Sequence, residues 1–389
     1  MSEGNAPKAI AAFRSYLKLD PGNEKATLGL ARAYRAVYNY DEARRLLKAD
    51  SARHPKSAPA LVELGTLDIH LQHYDDAIAE LQTAVRREPA LAEARLNLGA
   101  AYAAKGDFAK AMEQFNQAIE LDPRSAAAYY FRGLAYSDRD DDAHAYEDAK
   151  KASLLDPASE QSHILLAKVA IRLGKCPEAV DILNPLAAST DAKPENIYLL
   201  SRAYRCSNQP DLAARAQQQF EMRSTQEQKA KADKMEADHL ATQAGEVIRQ
   251  NQLAPAIDLL NQALAKDPQN GPAKALLAKI DFSRGDLGKA HEEISIALLG
   301  NPYNPDYLYV LGKILVRQND LPGALQAFQR TVTVDPQESD AYYEISQIYL
   351  QMRDRKQAIE AIKEAIKLSP DDNDYRQALK QLLGSSPLR

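Results

Sequence analysis

Apolar positions recur along this chain at helical spacing, and the helical stretches themselves recur with a period of about 34 residues. One apolar column holds Leu30, Leu64, Leu98, Leu166, Leu200, Leu277, Leu311 and Ile345. A second holds Phe13, Leu47, Leu81, Phe115, Leu183, Leu260, Ile294, Phe328 and Ile362. Directly after the first comes a column of small residues: Ala31, Gly65, Gly99, Gly133, Ala167, Ser201, Ala244, Ala278, Gly312 and Ser346. One helical turn before the second comes alanine, from Ala9 and Ala43 through to Ala324 and Ala358. A small side chain at a crossing point lets two helix axes approach to the short end of the usual range of about 8–10 Å, with the larger neighbours interlocking as ridges and grooves. Two such columns in one period predict two closely packed helices per repeat.

The breaks between helices carry the same period. Pro21, Pro55, Pro89, Pro123 and Pro157, and later Pro268, Pro302, Pro336 and Pro370, each stand one period after the last. In LDP, KDP and VDP the proline lacks the amide that a continuing helix needs. Within each repeat, stretches such as AKGDFAKA, SRGDLGKA and RQNDLPGA place Gly, Asn and Asp where a tight reversal begins the next helix.

Taken whole, as in LGAAYAAKGDFAKAMEQFNQAIELDP, the pattern resembles the tetratricopeptide repeat family over nearly all of residues 7–370. The resemblance implies an all-α fold, a right-handed α-solenoid of stacked antiparallel helix hairpins, and a non-catalytic protein that holds other proteins or peptides. Arg132 and Gln243 replace the apolar residue, Gln217 replaces the aromatic one, and the tryptophan of the family's first helix is absent throughout. Those units are expected to pack less tightly.

The chain opens in mid-repeat, since residues 7–20 supply only a second helix, which predicts further native chain upstream. From Pro157 to Pro268 the spacing is three periods plus nine residues, and the excess falls in a stretch without Gly or Pro. A long connecting helix over 211–250 is expected there, anchored by Phe220, Met222, Met235 and Leu240. It divides an N-terminal array (1–222) from a C-terminal array (236–389) that ends in a capping helix over 372–384. On that last helix Tyr375, Leu379, Leu382 and Leu383 share the packing face.

Composition narrows the function. With 49 basic and 54 acidic residues, net charge −5, a general nucleic-acid binder is not expected. No stretch reaches the roughly 18–20 apolar residues that span a bilayer, and the opening MSEGNAPKAI lacks the features of a secretory signal, so a soluble chain is expected, cytoplasmic or periplasmic. Nucleophile elbows, phosphate-cradling loops and zinc-protease motifs are missing, so no enzyme, cofactor or catalytic residue is expected. Of the two acidic clusters, His70, His73, Asp75 and Asp76 read as a surface group, and the Asp138–Asp142 run lacks the glycine of a calcium loop. No metal site is assigned. Cys176 and Cys206 sit on one edge of adjacent repeats, where they become either a disulfide or two separate thiols.

In the resembled family the first helix of each unit lines the concave groove. Four positions of that helix share the groove face by helical spacing. After residue 160 they supply Lys168, Arg172, Arg202, Arg205, Arg249, Lys279, Lys313 and Arg317, with Tyr198, Tyr309 and Tyr343 between them and no acid. These eleven residues are the candidate ligand-binding set, while Val62, Ile69, Leu96 and Ala100 make the earlier groove apolar. The expected partner is a protein or peptide, acidic or ending in a free carboxylate. Asn97 stands alone, so the family's carboxylate clamp for chaperone tails is not supported. Two other readings compete: the substrate-recognition array of a larger enzyme such as an O-linked glycosyltransferase, and a periplasmic scaffold for polysaccharide export or envelope assembly.

Overall fold

The computed structural model describes residues 6–384, where 21 helices and no strand are found. Residues 1–5 and 385–389, at the outer ends of the two expected arrays, lie outside the described residues. After α1 (Ala6–Leu19) come α2 (Glu24–Ala36) with α3 (Tyr40–Arg53), α4 (Pro59–His70) with α5 (Tyr74–Arg87), and α6 (Ala92–Ala104) with α7 (Phe108–Leu121). Next are α8 (Ala126–Ser137) with α9 (Asp142–Leu155), α10 (Glu160–Arg172) with α11 (Cys176–Ala188), and α12 (Pro194–Cys206) leading into α13 (Pro210–Arg249). The end of α13 packs against α14 (Leu253–Lys266), Ala237, Ala241 and Ala244 meeting Ala256 and Leu260. The series closes with α15 (Gly271–Arg284) and α16 (Leu287–Gly300), α17 (Pro305–Arg317) and α18 (Leu321–Val334), α19 (Ser339–Gln351) and α20 (Arg355–Leu368), and α21 (Asn373–Gly384).

Local chemistry sets these boundaries. The turn inside each pair contains one left-handed residue, always at the same place in the repeat: Tyr38, Gln72, Gly106, Asp140, Gly174, Asn208, Asn251, Gly285, Asn319 and Arg353. Gly and Asn tolerate that conformation, and the other residues there are held in it by the helices on either side. The following helix is often capped by the residue that precedes it. Asp107, Asp286, Asp320 and Asp354 each accept a backbone amide from the first turn, which satisfies a donor that the helix would leave free.

The small-residue column packs as its period requires. A Cβ on Gly65 would fall 2.5 Å from Leu81, and one on Gly99 or Gly312 would fall 2.6 Å from the ring of Phe115 or Phe328. All three partners are fully buried, so they have no room to retreat. Facing positions are separated by 16 in sequence, and the same spacing accounts for two of the departures from pattern. Arg132 donates from Nε and Nη2 to both oxygens of buried Asp148, each at 2.7 Å, and from Nη1 to Asn116. The Ser201 hydroxyl, which donates to the Tyr198 carbonyl at 2.8 Å, lies 3.3 Å from the side-chain oxygen of Gln217. These units replace apolar contact by paired polar contact, so the expected loosening has a structural compensation.

Two compact units divide the chain, one made of 16–35 and 40–228, the other of 1–15, 36–39 and 229–389. The early residues join the second unit through hydrogen bonds from Arg14 to the Val332 carbonyl (3.1 Å) and from Asn39 to that of Val334 (2.6 Å). Helix α13 runs for 40 residues, about 60 Å at about 1.5 Å per residue, and the division falls within it. Phe220 and Leu240 pack into the cores at its ends, but Met222 and Met235 are exposed and anchor nothing. In α21, Tyr375 and Leu382 are buried and Leu379 packs beside them, whereas Leu383 is 61% exposed and leaves the expected face. No helix among the described residues is long and apolar enough to cross a membrane.

Candidate functional site

In the unit that contains residues 40–228, α10 and α12 present the first five candidate residues. Lys168 reaches Glu195 at 2.6 Å, and Arg172 reaches Asp142 at 2.5 Å and the Ser137 hydroxyl at 2.7 Å. Tyr198 is 39% exposed, packs at 5.2 Å against Phe220, and carries the Arg202 guanidinium 6.0 Å from its ring centroid. Arg202 and Arg205 point to solvent with no carboxylate partner among the described residues. Cys176 at the start of α11 and Cys206 at the end of α12 are joined as a disulfide, with Cα atoms 5.6 Å apart.

The other unit holds the remaining six. Arg249 ends α13 and is exposed. Lys279 from α15 meets Tyr309 and Lys313 from α17 around a cavity of about 240 Å³, whose wall is completed by Phe282, Val310 and Asp306. The guanidinium of Arg317 lies 5.3 Å from the Phe282 ring centroid, and Tyr309 packs edge-on against Phe328. Farther along, Tyr343 stacks on Tyr375 at 5.2 Å and lines no part of this cavity.

Acids stand closer to these residues than the four columns suggested. Lys313 donates to Glu344 at 2.6 Å, and Asp306 is part of the cavity wall itself. Burial pushes the Tyr309 phenol up, and the Glu344, Asp340 and Glu338 carboxylates push it the same way. Tyr343 is raised by burial and by Glu344, with Lys313 opposing. Tyr375, which donates to Asp340 at 2.5 Å, is pushed up to about 12, first by burial and then by that bond. The cation face is therefore a mixed one, with Lys279 its exposed positive charge and an apolar wall beneath. Phe282, three residues after Lys279 on α15, carries no charge to mark it as part of the site, and Asp306 and Glu344 lie in columns beside the candidate ones.

Elsewhere, His70, His73, Asp75 and Asp76 supply no set of three converging ligand atoms among the described residues. His73 faces fully buried Asp68 at 3.5 Å, and Asp68 also pairs with Arg44. On the adjoining face of α5, burial pushes the Glu80 carboxyl up to about 7, against the pull of Arg44 and Lys48. A carboxyl raised on folding stabilises the fold below its ordinary pKa, and that contribution is lost as pH rises through the folded value. Glu80→Gln is accordingly expected to melt with the wild type near pH 4.5 and to gain on it steadily as the pH rises through 7. Paired thermal melts across that range check the sign, and an advantage that shrinks with pH would contradict it.

Models of the tetratricopeptide repeat match residues 1–65, 247–314 and 315–382, and a second model of the same repeat matches 62–126 and 101–153. No curated protein matches the sequence. Among solved structures, the chain is similar to the APC/C hetero-tetramer Cut9–Hcn1, at 15% identity over 96% of this chain and 92% of that one, with a TM-score of 0.35. It is similar to MamA at 29% identity over 40% of this chain and 91% of that one, TM-score 0.35. Its likeness to TTC0263, a thermophilic protein of the same repeat type from Thermus thermophilus, has 23% identity over 48% of this chain and 99% of that one, TM-score 0.39.

Proposed function

Because the chain belongs to the tetratricopeptide repeat family, whose arrays are scaffolds for protein interaction, we propose that its C-terminal unit holds an extended protein segment across α15 and α17. The cavity between Lys279, Phe282, Tyr309 and Lys313 carries this reading. It is large enough for one apolar side chain, whose burial against Phe282, Tyr309 and Val310 contributes about 1.5–3 kcal/mol. A carboxylate beside that side chain meets Lys279, and competes with Glu344 for Lys313. The acids nearby sharpen the expected ligand: one carboxylate next to one apolar side chain suits the site, whereas a run of acids would meet Asp306 and Glu344.

Display selection of random peptides, some with free C-termini, on the intact chain tests this. Enrichment of an acidic residue adjacent to a large apolar one is expected. Enrichment of basic peptides, or of sequences without an apolar residue, would reject the reading.

A further inference from the structure

We propose that Glu24, Asp50 and His54 form a binding site for one Zn²⁺ ion, which ties the start of α2 to the end of α3. One oxygen of each carboxylate and one imidazole nitrogen lie within 4.8 Å of one another. Zinc bonds of about 2.0–2.2 Å in a tetrahedral shell place ligand atoms about 3.3–3.6 Å apart, so side-chain rotation that closes the widest separation by about an ångström brings all three onto one ion.

Asp50 is the observation that points to a ligand. It is 0% exposed, and neither carboxylate oxygen accepts a hydrogen bond. Its nearest charged neighbours are His54 Nδ1 at 3.2 Å, itself without a hydrogen bond, and Arg53 at 3.7 Å, beyond hydrogen-bond reach. A buried carboxylate without donors is costly unless a cation neutralises it. In the corresponding place other repeats carry Ala84, Ala118, Ala152, Ala263, Ala297 and Ala365, all buried. His54 likewise replaces the acid or amide that precedes the period proline in Asp20, Asp122, Asp156, Asp267, Asn301 and Asp335. Two substitutions that the repeat does not need thus meet at one point in the first full repeat.

The surroundings hold the donors in place. Glu24 accepts a hydrogen bond from the Ser57 hydroxyl, and Arg87 Nη1 donates to the carbonyls of His54 (3.4 Å) and Ser57 (2.9 Å). The loop that carries the imidazole is fixed from outside, and contacts of this kind behind the ligands are what orient them in metal sites. Two carboxylates and one imidazole suit zinc better than magnesium or calcium, which favour all-oxygen shells. Water would complete the coordination.

The test uses the full chain stripped of metal by chelator and then titrated with ZnCl₂ or MgCl₂ in a calorimeter and in thermal melts. One strong Zn²⁺ site is expected, with a midpoint raised by about 2–4 °C at a hundredfold excess over Kd, and no comparable effect of Mg²⁺. His54→Gln and Glu24→Gln should each weaken that site at least tenfold, and the His70→Gln/His73→Gln variant should keep it. These variants carry the test should Asp50→Asn fail to fold. Absence of a Zn²⁺ site, or a site that survives both His54→Gln and Glu24→Gln, overturns the proposal. In the first case the cluster is a contact between Asp50 and His54 only.

Discussion

Asp148→Ala is expected to destabilise the unit that contains it by about 3–5 kcal/mol, the usual effect of removing one partner from a buried ion pair. Asp148 is 5% exposed and takes two hydrogen bonds from Arg132. Alanine leaves that guanidinium, largely buried, with the neutral amide of Asn116 and no counter-charge. The double variant Arg132→Leu/Asp148→Ala restores the arrangement of later repeats, where Leu311 faces Ala327 and Ile345 faces Ala361 in the same two columns. It should recover most of the loss, since a well-packed apolar pair is often as stable as the ion pair it replaces. Urea unfolding of the three proteins measures this. A loss under about 1 kcal/mol for Asp148→Ala would show that the pair is solvated and contributes little.

The second large effect is steric. Gly312→Ala puts a methyl group 2.6 Å from Phe328 Cε1 and Cζ, on a ring that is fully buried, and overpacking of this kind costs about 1–3 kcal/mol. Repeats with alanine in the small column face a smaller residue: Ala31 is matched by Leu47, Ala167 by Leu183 and Ala244 by Leu260, whereas Gly99 faces Phe115 and Gly312 faces Phe328. Phe328→Leu should therefore rescue Gly312→Ala. Each single change destabilises, one by overpacking and one by leaving a gap. Together they should be less harmful than their sum, with a coupling of about 1–2 kcal/mol. Additive losses would mean that the two positions do not share a contact.

Much of this architecture was legible because it repeats. A single Gly-to-Phe contact is invisible in one sequence, but many copies of the same spacing expose the columns, the turns and the helix ends. Departures from the repeat were harder. Arg132 and Gln217 read as faults because their partners, Asp148 and Ser201, lie on the facing helix, a relation between columns, and each column alone shows only a misfit. The groove failed to read as mixed for a related reason. Lys168 finds its acid in Glu195 and Lys313 in Glu344, each in the next repeat and in columns beside those chosen by helical spacing. A lysine side chain is long enough to cross between columns, so charge on a solenoid face is set by neighbouring repeats as well as by its own stripe. The Asp50 cluster was hidden differently. Its partner His54, one helical turn on, was in plain view, but Glu24 joins only when α2 and α3 fold against each other.

For the binding role, the decisive measurement is the affinity of a peptide selected on the intact chain for the wild type and for Lys279→Glu and Phe282→Ala variants, at low and high salt. If the segment sits across α15 and α17, Lys279→Glu weakens it about tenfold or more, roughly 1.4 kcal/mol, and flattens the salt dependence. Phe282→Ala then weakens it by a similar factor at both salt concentrations. Wild-type affinity in both variants, with salt dependence unchanged, would contradict the account and place the ligand elsewhere on the array.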